Sequence, residues 1–254
     1  MGSAILTGLL RNHISRPNQI FVFDSIKSKM KSVSKKLRIR STKSNLDLVR
    51  RAKIILLAIK PQDFISVARE IRPALGSGQT VISILAGTPI SKLKRFLGNR
   101  AAIVRAMPNL GAQVGEGIAV VTSLDRNALG LAETVFAGCG KVIRLPEKHF
   151  DLVTAVSGSG PAYFFLVMEL LAQIAQKGGI PRKEAELLAV QTALGAGKLA
   201  QTSSYSPEAL RKMVTSKKGT TEAALKFLSQ NNFHSIFSEA VYRAMYRAGE
   251  LSKM

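Results

Sequence analysis

Several things are scarce in this chain of 254 residues. It has no Trp, a single Cys and three His. One Cys, Cys139, forms no internal disulfide, and no Cys/His group shows metal-ligand spacing, so no metal is expected. The cytoplasm is the natural compartment for such cysteine usage. Acid is scarce as well: 16 Asp and Glu stand against 37 Lys and Arg, a formal charge of +21. Between Ser25 and Lys53 the only acid is Asp47. That balance raises nucleic acid as a partner. The stretch has no aromatic to stack on bases, so a solvated lysine-rich face that attracts an anionic cofactor is the better reading. Long apolar runs are missing. Pro161 to Met168 is ended by Glu169, far short of the roughly 20 residues of a membrane span. The start, MGSAILTGLLRN, is too short and too lightly charged for a typical signal peptide. Leu6 stands where a myristoylation motif wants Ser or Thr.

What is present is an alternation of apolar strands and helical patterns. Gln19 to Asp24 reads as a strand and Ser25 to Lys36 as a polar helix. Ala52 to Lys60 is a continuous apolar run, as in a strand buried on both faces. Pro61 opens a helix to about Ile71, Pro being suited to the first helical position. Gln79 to Gly87 and Ala101 to Asn109 are further buried strands. Gly117 to Ser123 and Lys141 to Pro146 bracket a helix near Asp125 to Phe136. The pattern argues for a mostly parallel sheet with crossover helices.

From about Phe150 the strands vanish. Helical periodicity fills Pro161 to Lys177, Pro181 to Gln201, Pro207 to Val214, Thr221 to Gln230 and Phe233 to Ser252. Gly178-Gly179, Ser203 to Ser206 and Asn231-Asn232 separate them. The division near Pro146 to Phe150 gives two expected domains, 1–148 and 149–254. The helix from Pro161 is apolar nearly all round, and such a helix is buried. Either a bundle or a second copy of the chain buries it.

The chemistry-bearing signals start at Met1-Gly2. A dinucleotide-binding fold opens with a strand, a G-x-G-x-x-G turn and a helix whose N-terminus takes the pyrophosphate. Here Gly2 reads as the third glycine, with the first strand and earlier glycines absent; the other reading is a short N-terminal helix. Asp24 closes a strand about 20 residues on, where an acid bonds the ribose hydroxyls, or else it caps the next helix. Ser25, Lys27 and Lys29 offer a 2′-phosphate site instead. AIKP (Ala58 to Pro61), LAG (Leu85 to Gly87) and AMPN (Ala106 to Asn109) lie at strand ends, where open sheets bind ligands. In the helical part, SGSGPAY (Ser157 to Tyr163) and VTSKKGTT (Val214 to Thr221) put small residues and hydroxyls at helix starts. Such loops suit a small carboxylate or simply cap helices.

Taken together these runs resemble the pyrroline-5-carboxylate reductase family. VTAVSGSGPAY, QTALGAGK (Gln191 to Lys198), SPEALRKMVTSKKGTT and NNFHSIFSEAVYRA (Asn231 to Ala244) are similar to that family's C-terminal half. AIKP, LAG, and RAMPN followed by VGEG (Val114 to Gly117) are similar to its N-terminal half. The resemblance covers essentially the whole chain. It implies a Rossmann-like domain lacking its first strand, then an all-α domain for substrate binding and dimerisation. It implies hydride transfer from NADPH or NADH to 1-pyrroline-5-carboxylate, giving L-proline, in a homodimer or larger homo-oligomer. It assigns Thr221 to the ring nitrogen as the catalytic contact, and Ser216, Gly219 and Thr220 to the substrate carboxylate. Met1, Gly2, Asp24, Asn45, Ala58, Ile59, Lys60, Pro61, Ala86 and Gly87 are the expected cofactor residues. An in-frame strand with Gly-x-Gly-Asn is expected just upstream of Met1.

The chain also departs from the family. Leu110 and Gly111 follow Asn109 where the family reads Thr-Pro. Lys217 and Lys218 replace Pro and Gly of S-P-G-G-T-T, and a Gly needing positive φ is not freely replaced by Lys. Two other readings stand beside this one: a related imine or 3-hydroxyacid reductase of the same plan, and an inactive oligomeric binding protein.

Overall fold

A computed structural model describes residues 1–253. The chain forms two compact units, one of 1–159 with the last turns from Ala244 onward, the other of Gly160–Arg243.

The first unit alternates helix and strand: α1 (Gly2–Arg11), β1 (Phe21–Val22), α2 (Lys27–Leu37), β2 (Arg40–Ser41), α3 (Asn45–Arg51), β3 (Ile54–Leu57), α4 (Phe64–Ile71), β4 (Thr80–Ser83), α5 (Ile90–Leu97), β5 (Ala102–Pro108), β6 (Gly117–Thr122), α6 (Arg126–Ala137), β7 (Gly140–Arg144) and α7 (Phe150–Val153). The strands form two sheets, β1-β2 and β3-β4-β5-β6-β7. All pairings are parallel except β5 with β6. Among the described residues β1 pairs only with β2, and β3 only with β4. The sheet is therefore interrupted between the strands at Phe21 and Ile54, where a dinucleotide fold keeps its first strand.

Both faces of the larger sheet are covered, and the alternation of side chains shows how. Val81 and Ile103 pack with Phe64, Ile71, Leu93 and Leu97 from α4 and α5. Their neighbours Ile82 and Val104 pack on the opposite face with Ile5 of α1 and Phe136 of α6. A parallel sheet with helices on both sides needs such continuous apolar runs, which is why the strands read so plainly in sequence. Local signals set the helix ends: Asp125 caps α6 by accepting from the Ala128 amide at 2.9 Å, and Ser44 caps α3 through the Asp47 amide at 3.1 Å. Cys139 is buried beside α1, and that burial pushes its thiol pKa up, with Arg11 opposing. Such a thiol is inert.

The second unit is all helix: α8 (Gly160–Lys177), α9 (Arg182–Thr202), α10 (Pro207–Met213), α11 (Thr220–Gln230) and the start of α12 (Phe233–Lys253). The helices α8 and α9 pack side by side. Small residues fill this unit's interior: Ala172, Ala185 and Ala189 are buried, whereas Phe164, Phe165, Leu166, Leu187, Leu188 and Leu194 are exposed. The sequence reading of a buried α8 therefore does not hold within one chain. The stretch Glu147–Lys177 is also long and apolar enough by composition to cross a membrane, contrary to the shorter run seen in sequence.

Candidate functional site

The cofactor candidates gather at one edge of the first unit. Because β3, β4 and β5 run parallel, their C-terminal ends lie together. The loops leaving β3 and β4 hold Ala58, Ile59, Lys60 and Pro61, and Ala86 and Gly87. The N-terminus of α1 lies against the first of these: a β carbon at Gly2 would stand 3.1 Å from the Ala58 Cβ. The Met1 carbonyl accepts from the Ala4 and Ile5 amides. The amides of Gly2 and Ser3 have no acceptor among the described residues. A helix N-terminus with free amides and a close, side-chain-free approach suits a pyrophosphate. Gly87 has φ +64, and a β carbon there would meet the Leu251 backbone at 2.9 Å. Only glycine fits that turn.

Asp24 follows β1. Its carboxylate accepts from the Ile26 amide at 2.9 Å and pairs with Lys29 at 3.2 Å. Two guanidiniums, from Arg40 and Arg51, lie 6.0 Å from the Phe21 ring on the adjoining strand. Asn45 opens α3, and its side chain donates to Glu70 at 2.7 Å. In the turn after β5, Asn109 accepts from the Ile118 amide at 3.1 Å. It thereby fixes the passage into β6.

The substrate candidates lie together in the second unit. Ser216, Gly219, Thr220 and Thr221 occupy the loop between α10 and the first turn of α11. The Gly219 amide donates to the Ser216 carbonyl at 3.0 Å. Gly219 is the N-cap of α11 and supplies no side-chain cap. The helix begins at Thr220, one residue earlier than its sequence pattern shows. Among the described residues, the amides of Thr220, Thr221 and Glu222 and the hydroxyls of Ser216, Thr220 and Thr221 have no protein partner. These donors suit a carboxylate at a positive helix end. Thr221 is half-buried and sits inside the first turn, so N-capping does not occupy its hydroxyl.

Lys218 adopts φ +59, a left-handed conformation that glycine takes without strain. Its amide donates to Glu222 Oε2 at 2.7 Å, which holds the loop in place. Lys218→Gly should remove about 1 kcal/mol of backbone strain and raise the melting temperature by roughly 2–4 °C. An unchanged or lower melting temperature would show that the loop carries no strain at this position.

Sequence reasoning missed two features. Arg105, in the middle of β5, is 5% exposed. It pairs with Glu147 at 3.0 Å and lies 4.7 Å from the centre of the Phe150 ring. The charge breaking the run AAIVRAMPN was the available signal. The other is a π-helical turn at Thr154–Gly158, where the buried Ser157 hydroxyl has no partner among the described residues. Periodicity does not reveal such a turn.

A sheet whose strand ends meet the free N-terminus of a helix is the arrangement of dinucleotide-binding folds, and here an all-helical unit accompanies it. Comparison with known proteins narrows the class. The family model for the dimerisation domain of pyrroline-5-carboxylate reductase matches residues 147–251. A model for coenzyme F420-dependent NADP oxidoreductases matches residues 1–87. The pyrroline-5-carboxylate reductase of Methanosarcina acetivorans is 38% identical over 256 residues, with 100% of this chain and 95% of that protein covered. The Escherichia coli K12 enzyme is 35% identical, with 100% and 95% covered. The solved pyrroline-5-carboxylate reductase of Coxiella burnetii superposes with a TM-score of 0.92 at 35% identity, with 100% and 95% covered. That of Plasmodium falciparum, solved with NADP bound, gives 0.88 at 30% identity, with 99% and 94% covered. The chain belongs to the pyrroline-5-carboxylate reductase family, which makes it an NAD(P)-dependent oxidoreductase.

Proposed function

We propose that this chain reduces 1-pyrroline-5-carboxylate to L-proline with NADPH or NADH, the last step of proline biosynthesis, as a homo-oligomer. The observation that carries the reading is the substrate loop. Its free first-turn amides and hydroxyls at Ser216 to Thr221 match a small ring bearing a carboxylate beside a nitrogen.

The bound nicotinamide supplies the hydride. The chain's residues bind and orient. In the first unit, Met1, Gly2, Asp24, Asn45 and the strand-end loops at Ala58 to Pro61 and Ala86-Gly87 would hold the cofactor. In the second, Ser216, Gly219 and Thr220 hold the carboxylate, and the Thr221 hydroxyl hydrogen-bonds the ring nitrogen. An imine nitrogen is basic enough to take its proton from solvent. Alignment can therefore carry much of the catalysis. The basic face of α2 draws in the anionic cofactor, and the apolar faces of α8 and α9 receive a second copy. Neither a nucleic acid nor a membrane is needed, and a cytoplasmic location suits the single inert thiol.

Asp24 bears on cofactor choice. A carboxylate there repels a 2′-phosphate and favours NADH, while its pairing with Lys29 offsets part of that charge. Replacing Asp24 by Ser should shift kcat/KM toward NADPH by about fivefold or more. An unchanged cofactor ratio removes Asp24 from the site. The reaction itself is tested by offering the protein 1-pyrroline-5-carboxylate, a six-membered cyclic imine and 3-hydroxy acids. The reading requires the five-membered imine to give the highest kcat/KM. Preference for a hydroxy acid or the six-membered imine would favour the related imine or 3-hydroxyacid reductase, and no turnover of any would favour a binding protein.

A further inference from the structure

We propose that Glu147, held by Arg105, is a positioning residue for the cofactor loop that follows β4. The inference rests on the reading of residues Ala86 and Gly87 as part of the nicotinamide site.

That loop, Ile84 to Pro89, runs straight into α5. The helix lacks a cap of its own: Pro89 is its N-cap with no side-chain bond, and its first turn holds no acid. An uncapped helix start leaves amides unsatisfied. Glu147, 57 residues away in sequence, makes up for it by accepting from the Ile90 amide at 2.7 Å. The same oxygen, Oε1, accepts from Arg105 Nη1 at 3.0 Å. Arg105 is itself fixed, almost fully buried on β5 with its guanidinium against the buried Phe150 ring. A carboxylate with one oxygen shared between a buried guanidinium and a backbone amide has little freedom. It pins the residue three positions beyond Gly87.

The far side of the loop is pinned too. The last turn of α12 brings the Leu251 backbone to 2.9 Å from where a Gly87 β carbon would stand. Thr88 adds a weak bond to the Ala86 carbonyl at 3.4 Å. Releasing Glu147 therefore frees the loop on the α5 side alone, and the backbone at Ala86 and Gly87 can shift without the sheet unravelling. A backbone shift that loses a hydrogen bond to a ligand weakens binding by up to about tenfold.

The test is direct titration with NADPH, followed by its fluorescence in the absence of substrate, on the full chain well below its melting temperature. Glu147→Ala should raise the cofactor Kd about tenfold. Glu147→Gln should stay within about twofold, because the amide oxygen still accepts from Ile90. Glu133→Gln, which breaks the surface pair of Glu133 with Arg144, controls for a general loss of an ion pair and should leave the Kd unchanged. A Glu147→Ala protein that melts earlier yet binds NADPH as tightly as the parent would overturn the proposal, leaving Glu147 as a fold staple. Should Glu147→Ala fail to fold, Glu147→Asp decides. Its carboxylate, one carbon shorter, cannot reach Ile90 and Arg105 as Glu147 Oε1 does, and an unchanged Kd in that variant also overturns the proposal. A parent chain that binds no NAD(P)H would defeat the underlying cofactor reading and this inference with it. A normal parent Kd with unaffected variants would defeat this inference alone.

Discussion

Thr221→Ala should lower turnover by about 10- to 100-fold while leaving the melting temperature within a few degrees, the scale expected when a transition-state hydrogen bond is lost. The structure sharpens this expectation. Thr221 lies in the first turn of α11, after an N-cap, Gly219, that offers no side-chain bond. The Thr221 hydroxyl caps nothing, so its removal costs the helix little. Thr221→Ser keeps the hydroxyl and should retain most of the activity. The comparison requires saturating cofactor, so that a change in nicotinamide affinity does not enter. A Thr221→Ala protein that melts early yet turns over normally would reduce Thr221 to a structural residue.

A charge placed on the exposed apolar face of the helical unit should break the oligomer. Phe165 on α8 and Leu194 on α9 are 54% and 60% exposed in a single chain. They lie within the 147–251 match to the dimerisation model. Phe165→Glu or Leu194→Glu would bury an unpaired carboxylate at the interface, at a cost of several kcal/mol. Self-association should weaken at least about 100-fold. Light scattering of the parent should report a dimer or a larger assembly at micromolar concentration, and the variants should report half that mass or less. A compact parent monomer would mean that these faces do not serve self-association.

Much of this architecture is legible in the sequence, for a physical reason. Strands buried on both faces must be apolar throughout, so Ala52 to Lys60, Gln79 to Gly87 and Ala101 to Asn109 were recognisable, though the paired cores are shorter at Ile54–Leu57, Thr80–Ser83 and Ala102–Pro108. The five C-terminal helices were bounded within one or two residues by their Gly, Pro and Asn breaks. One short strand, β2, and two short helices, α3 and α5, are not visible in the sequence. The strand β2 has two residues, Arg40 and Ser41, both exposed, and nothing in their chemistry marks a strand. The helices α3 and α5 carry many basic residues, which hid an apolar face only three residues wide in α5, Ile90, Leu93 and Leu97.

The candidate site divides in the same way. Residues at strand ends and helix starts followed from rules about where backbone donors remain free. Long-range contacts did not. Glu147 reaches Ile90 across 57 residues, and Asn45 spends its amide on Glu70 across 25. No local pattern encodes either. Lys218 takes the positive φ that the sequence marks as costly for Lys, and the Glu222 carboxylate that holds it there is not visible in the sequence.

The central claim is that the chain transfers hydride to the imine carbon of a five-membered ring. It is tested most directly with NADPH carrying deuterium at the transferable C4 position, incubated with 1-pyrroline-5-carboxylate and the purified chain. The expected product is L-proline bearing one deuterium on the ring carbon next to nitrogen and opposite the carboxylate, formed one for one with oxidised cofactor. Cofactor oxidation without labelled proline, or no oxidation at cofactor and substrate concentrations that saturate related enzymes, would contradict it.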